Sequence, residues 1–221
     1  MFDQPAAKIR PWVTGGLIAM NLWVFVLEWW ATDVENFIYR WAFIPVEFVW
    51  TDWNSWIKLW TAMFLHQGWG HLISNLWFLH LFGDNVEEDL GHLKFLLFYF
   101  VCGTTAGLLQ YWFVSQLDLP MLGASGAIAG VLGYYWQRFP AHRVTTLVLW
   151  GWWWEIVQVP AHVVLGFWFF SQMFSGLASV AVSTLATGGV AWWAHIGGFV
   201  TGWLIARFRV PSRSVGWQSW W

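Results

Sequence analysis

Charged side chains are scarce in this chain. Asp, Glu, Lys and Arg make up 10% of its 221 residues, against about 25% in soluble domains, and this deficit excludes an ordinary solvated surface. The single cysteine, Cys102, excludes an intrachain disulfide and a cysteine-built metal site. The spacings His-x-x-x-His and His-Glu-x-x-His do not occur either, which argues against zinc chemistry.

Long apolar segments take the place of the missing charge, since 58% of the residues are hydrophobic. A membrane-crossing helix needs about 20 mostly apolar residues, and about six segments qualify with their flanks: Pro11–Trp30, Leu72–Phe82, Phe95–Val114, Gly126–Phe139, Val163–Phe174 and Val190–Phe208. Pro160 separates Val163–Phe174 from another apolar run, Val144–Val157, and either run could be the fifth span. We therefore predict an all-α bundle of about six transmembrane helices.

The chain is predicted to form one membrane domain over residues 1–221. It would comprise a short cytoplasmic tail (1–10), a long first loop (31–70) and a C-terminal tail (210–221). Eight of the ten basic residues fall on one side of a six-span arrangement, and only Arg40 and Lys58 lie in the first loop. The positive-inside rule then predicts that both termini are cytoplasmic.

Two connections have their own character. The first loop carries acidic residues and widely spaced aromatics, and it fits either a partly helical segment in the membrane interface or an ordinary loop packed on the bundle. The small residues of Ser175–Gly189 predict a flexible connection that could cap a site beneath it. Many of the 24 tryptophans are expected at helix ends in the interface.

A serine in Gly123-Ala124-Ser125-Gly126 stands at the predicted start of an apolar helix. Its glycines permit close approach of a substrate backbone, and the first amides of the helix point toward it. Small residues continue along this helix, and Gly198 and Gly202 give the last helix a matching face one turn after His195. Either these are packing motifs only, or they bring Ser125 and His195 together as nucleophile and base.

His71 and Asn75, four residues apart, face the same side of one helix. Both can donate a hydrogen bond, so they could form an oxyanion hole beside a nucleophile; the alternative is a polar contact between helices. No Asp or Glu follows Glu155, which predicts a Ser–His dyad rather than a triad. His66 lies close enough in sequence to support His71.

Three motifs follow one another along the chain: His71-x-x-x-Asn75, then Gly123-Ala124-Ser125-Gly126, then Ala194-His195-x-x-Gly198-x-x-x-Gly202. Taken together and in that order, they resemble the rhomboid intramembrane serine proteases. The resemblance covers roughly Trp12–Arg209 and implies Ser125 as nucleophile, His195 as general base, and His71 and Asn75 as oxyanion-binding groups. Glu87 and Gly91 resemble the family's Glu-x-x-x-Gly, although Asp89 stands where many relatives have Arg, which puts a structural ion pair there in doubt. Ala129 replaces the Tyr that stacks on the histidine in some relatives, so other contacts must hold His195.

The expected function is therefore cleavage of transmembrane segments of other membrane proteins. The alternatives are a catalytically silent relative that binds transmembrane helices as a chaperone or sorting factor, and a small channel or transporter. The expected partners are transmembrane substrates and the lipid bilayer, without nucleic acid, and the resemblance implies no metal or organic cofactor. We expect a polar cavity that opens below the Ser175–Gly189 connection, and a location in a bacterial inner membrane.

Overall fold

Six long helices run back and forth between two ends of the molecule. The computed structural model describes residues 3–4, 9–181 and 191–209. Within them the long helices are α1 (Trp12–Trp29), α4 (Trp69–Leu90), α5 (His92–Val114), α6 (Ser125–Arg138), α7 (Ala161–Ala181) and α8 (Trp192–Phe208). Two short helices, α2 (Val34–Trp41) and α3 (Trp53–Thr61), lie between α1 and α4.

By length and composition, two helices of the described residues could cross a membrane, Trp12–Trp29 and His92–Val114. The apolar helix at Ala161–Leu177 is shorter, and α6 has only 14 residues. The predicted helical bundle is therefore present, whereas the predicted number of six spans is not confirmed.

Close contact between α6 and α8 determines the centre of the bundle. A Cβ added at Gly198 would lie 1.9 Å from the carbonyl oxygen of Gly126, and one at Gly202 would lie 1.9 Å from that of Gly130. Such distances are impossible for a real side chain, so only glycine allows these backbones to touch. The small-residue faces expected from the sequence do meet, and they bring the first turns of the two helices together.

The first loop is folded. Asp33 and Asp52 accept hydrogen bonds from backbone amides at the starts of α2 and α3, as helix N-caps do. Phe48, between these helices, packs edge-on against Trp56 and against Tyr111 of α5. The first loop is therefore partly helical, and its aromatics pack it on the bundle; its location in the membrane interface stays a prediction.

An all-α fold is wrong for one segment. Residues Arg143–Trp150 (β2) and Trp153–Pro160 (β3) form an antiparallel hairpin, and Asp3–Gln4 (β1) pairs with β2. Gly151, at φ +64°, begins the two-residue turn of the hairpin. The run Val144–Val157 is thus not a span, because its β-branched residues favour extended backbone. The fifth long helix is α7.

The predicted connection at Ser175–Gly189 is also partly wrong. Helix α7 continues through Ala181, so the first seven residues of that stretch belong to a helix. The rest of it, residues 182–189, lies outside the described residues, as do most of the predicted tails at 1–10 and 210–221.

Candidate active site

Ser125 and His195 are hydrogen-bonded to each other. Ser125 is the first residue of α6 and His195 lies in the first turn of α8, so the glycine contacts between these helices set their separation. The distance from Ser125 Oγ to His195 Nε2 is 2.8 Å, within the range expected for a nucleophile and its base.

A chain of hydrogen bonds on α7 determines which nitrogen of His195 carries the proton. The Ser171 hydroxyl donates to the Trp168 carbonyl at 2.6 Å, so it accepts from the Gln172 amide nitrogen at 3.1 Å. This turns Gln172 Oε1 toward His195 Nδ1, at 2.7 Å. Since an amide oxygen can only accept, Nδ1 carries the hydrogen, and Nε2 is left with a lone pair for the Ser125 hydroxyl.

Other contacts keep His195 and its helix in position. The rings of Trp168 and Trp192 lie with their centroids 5.7 and 6.3 Å from the imidazole, and no aromatic side chain stands at Ala129. Gln110 of α5 accepts a hydrogen bond from the backbone amide of Ala194 at 3.0 Å. That amide is in the first turn of α8 and has no partner within the helix.

His71 lies beside the serine loop. A Cβ on Gly123 would be 2.7 Å from His71 Cε1 and 2.8 Å from Nε2, and Gly123 has φ +119°. The loop therefore requires glycine both for its conformation and for the approach of the ring. Asn75 is buried, and its amide donates to the His71 carbonyl at 3.0 Å. Of the two predicted oxyanion-binding residues, His71 therefore lies close to the serine loop, whereas the Asn75 amide donates to the backbone of its own helix, α4.

Behind His71 lies His66, as expected for a supporting group. The two rings are 5.1 Å apart, and His66 is fully buried. Burial, with a smaller contribution from the nearby His71, lowers the pKa of His66 to about 4. His66 is therefore neutral at pH 7.

A small cavity of about 50 Å³ opens next to Ser125. Its walls come from the first loop, α5, α6 and the start of α8, and they are mostly small and apolar: Ala62, Gly103, Ala106, Gly107, Gly126 and Ala194. This volume holds a small side chain or a few water molecules. A mainly polar cavity was expected, and the lining is instead mainly apolar because small residues are what let α5, α6 and α8 approach.

At the opposite end of the bundle, two acidic side chains of α4, Glu87 and Asp89, form hydrogen bonds and ion pairs. Glu87 is fully buried and accepts from the backbone amides of Val13 and Thr14 at 2.9 and 2.7 Å, at the start of α1, and from the ring of His92. A carboxylate in this position is stabilised by the amides and the dipole of the helix.

Asp89 replaces the arginine of many relatives and still forms ion pairs. Arg209 Nη1 lies 2.8 Å and Arg138 Nε 3.1 Å from Asp89 Oδ2, and the Tyr134 hydroxyl donates to the same oxygen at 2.6 Å. The doubt about an ion pair at this position is therefore resolved: the acid is on α4 and the bases are at the ends of α6 and α8.

Two functional candidates, Gln172 and Gln110, were missed from the sequence. Each is a buried amide within an apolar helix, and a polar residue at membrane depth is itself a sign of a functional or structural contact. That sign was available in the sequence, but it does not reveal which neighbour the amide faces.

The chain is similar to known proteins over most of its length. A family model described as Rhomboid domain matches residues 53–212. The chain is 32% identical over 179 residues to Rhomboid-like protein 11, chloroplastic, of Arabidopsis thaliana, covering 76% of this chain and 58% of that protein. It is 28% identical over 203 residues to Rhomboid protein 1, mitochondrial, of Saccharomyces cerevisiae, covering 86% and 52%.

A shorter match joins the chain to Rhomboid protease GluP of Bacillus subtilis, at 39% identity over 80 residues, which cover 36% of this chain and 15% of that protein. For the first curated relatives, by contrast, the match spans about half of the relative's own length.

Proposed function

The chain belongs to the rhomboid family, and on that premise we propose that it is an intramembrane serine endopeptidase that cleaves transmembrane segments of other membrane proteins. The observation that carries this proposal is the 2.8 Å contact between Ser125 Oγ and a His195 Nε2 whose lone pair faces the hydroxyl. A nucleophile already bonded to an oriented base is the arrangement that acyl transfer requires.

In the proposed reaction, His195 Nε2 accepts the Ser125 proton as the hydroxyl oxygen attacks the carbonyl carbon of the scissile peptide bond. The negative charge on the carbonyl oxygen is stabilised by the Ser125 backbone amide together with His71 and Asn75. His195 then donates the proton to the leaving amine, and water hydrolyses the acyl-enzyme by the same route.

The substrate must expose a peptide bond that a helix keeps hydrogen-bonded. The small cavity beside Ser125 supports a small side chain next to the cleaved bond, because a volume of about 50 Å³ cannot hold a large one. We therefore propose substrates whose transmembrane segments contain small or helix-destabilising residues near the cut.

The family consists of membrane proteins, and we extend the proposal to the topology. The six long helices would be the spans of one membrane domain over residues 1–221, with both termini on the cytoplasmic side. The start of α1 and the ends of α4, α6 and α8 lie together at one end of the bundle, through the contacts of Glu87 and Asp89. The expected bacterial inner membrane lacks support, since relatives named chloroplastic and mitochondrial match over most of this chain.

Reaction with a fluorophosphonate probe tests the proposal. Wild-type protein in detergent should be labelled and should cleave a model transmembrane substrate, and Ser125→Ala should abolish both. Ser115→Ala, which changes a serine at the end of α5, is the matched control and should behave as wild type. A folded wild-type protein that resists the probe and leaves the substrate intact would favour the silent, helix-binding relative instead.

A further inference from the structure

The β2–β3 hairpin presents an apolar face away from the bundle. Strand alternation places Leu147 and Leu149 on one face, opposite their cross-strand partners Ile156 and Trp154. These four side chains are between 55% and 70% exposed. Contiguous exposed apolar side chains of this size mark an interaction surface, which we call the hairpin face.

The other face of the hairpin fixes it to the bundle. Val144 is fully buried and belongs to the main core cluster, together with Ala161 and Leu165 of α7. Pro160, the last residue of β3, is followed directly by Ala161. The base of the hairpin is therefore held against α7 without an intervening loop, and the hairpin face points outward from a fixed base.

Tryptophans occupy the tip. Gly151 has a positive φ and Trp152 does not, which makes the two-residue loop a type II′ turn, a type that matches the twist of paired strands. This turn leaves Trp152 97% exposed. Trp153 follows it and is exposed as well, so the tip is a small cluster of amphipathic rings.

The position of the hairpin indicates what covers this face. It connects the end of α6 to the start of α7, and on the proposed topology, in which both helices span the membrane, it leaves the bundle at the membrane surface. Tryptophan is enriched at that depth. Arg143, at the base of the hairpin face, is exposed, and a basic side chain there complements anionic lipid headgroups.

The unpaired backbone groups of β3 limit how deeply the hairpin can enter the membrane. Within the described residues, β2 pairs with both β1 and β3, whereas the outer edge of β3 pairs with no strand. Unpaired backbone groups are not tolerated in the hydrocarbon region. Strands of eight residues, about 26 Å long, can instead lie along the interface with their side chains directed into it.

We propose that the hairpin face binds the boundary between lipid headgroups and acyl chains, on the side where α6 ends, and anchors the first turn of α7 there. The hairpin is a second membrane contact, separate from the helix bundle. It does not depend on Ser125 chemistry, so it can be tested in the Ser125→Ala protein.

Spin-label depth measurements provide the test. Cys102 is replaced by alanine, and single cysteines are introduced by Leu149→Cys on the hairpin face and by Glu155→Cys on the opposite face as matched control. Each protein is labelled with a nitroxide and reconstituted into vesicles of phosphatidylcholine and phosphatidylglycerol. Collision with oxygen and with a water-soluble nickel complex is then compared at the two sites. The ratio of oxygen to nickel accessibility should be severalfold higher at residue 149 than at residue 155.

Equal nickel accessibility at the two sites would overturn the proposal. So would dipolar coupling between residue 149 labels of two copies in sparsely loaded vesicles, because a second copy rather than lipid would then cover the face. Ile156→Cys is a second labelling site on the same face, so the measurement remains decisive if Leu149→Cys does not fold.

Discussion

The two ends of helix α6 stabilise their polar side chains in different ways: the start uses neutral hydrogen bonds, and the end uses ion pairs. At its start, Ser125 belongs to a network of neutral groups that reaches Gln172 through His195. At its end, Arg138 belongs to an ionic cluster with Asp89 and Arg209. The first arrangement assigns protons to particular atoms, and the second balances charges.

This contrast indicates which end of α6 can carry reactive groups. A charge in a mostly buried site needs a partner, so each loss from the ionic cluster is expected to lower the free energy of unfolding. The neutral network has no charge to compensate, and removing a member there mainly changes where a proton sits. We therefore expect substitutions at the start of α6 to reduce activity without unfolding the protein, and substitutions at its end to do the reverse.

The sharpest test of this contrast is His195→Ala. Loss of the base should lower kcat by about 10²- to 10⁴-fold, while the free energy of unfolding should change by only about 1 kcal/mol because neutral hydrogen bonds are lost. Cleavage of a model transmembrane substrate and unfolding in mixed micelles measure the two effects. His80→Ala, which removes an exposed histidine on α4, is the control, and a His195→Ala enzyme within tenfold of wild type would refute the assignment.

Asp89→Asn should have the complementary effect. It leaves Arg138 and Arg209 without a carboxylate in a mostly buried site, and we expect a loss of about 2–4 kcal/mol in the free energy of unfolding. The folded variant should cleave substrate at a rate within a few fold of wild type. Glu47→Gln breaks the exposed pair with Lys58 and should cost less than about 1 kcal/mol. Similar losses in the two variants would remove the distinction between the ends of α6.

The sequence predicts some of these contacts and not others, and the kind of interaction decides which. Gly198 and Gly202 reveal a close helix contact because only small residues permit it, and this contact brings Ser125 and His195 together. Gln172 was not identified, since its role depends on the rotation of α7 about its own axis, which apolar residues on all sides leave open. The sequence predicts a possible span at the hairpin, because Val144–Val157 has the hydropathy of a helix and only its β-branched residues favour a strand.

Gln172→Leu should reduce activity by an intermediate amount. A hydrogen bond to an imidazolium contributes about 1.5–3 kcal/mol, so kcat should fall by about 10- to 100-fold with KM unchanged. Gln172→Glu restores the acceptor and should recover most of the rate. Its carboxylate favours the protonated imidazole, so the acid limb of the pH–rate profile should move to higher pH. Equal loss in both variants, with no change in the pH profile, would indicate a packing role only.

The smallest effect is expected from Tyr134→Phe, which probes the ionic end without removing a charge. The Tyr134 hydroxyl donates to Asp89 and accepts from Arg209 at 2.6 Å, but Arg209 also reaches Asp89 directly. The ring keeps its edge contact with Phe98, so the variant should lose about 1 kcal/mol of unfolding free energy. Unfolding of Tyr134→Phe, Asp89→Asn and the double variant in mixed micelles measures this. Because both changes act on one cluster, their effects should not add; additive losses would mean that the hydroxyl stabilises something other than the charges at the end of α6.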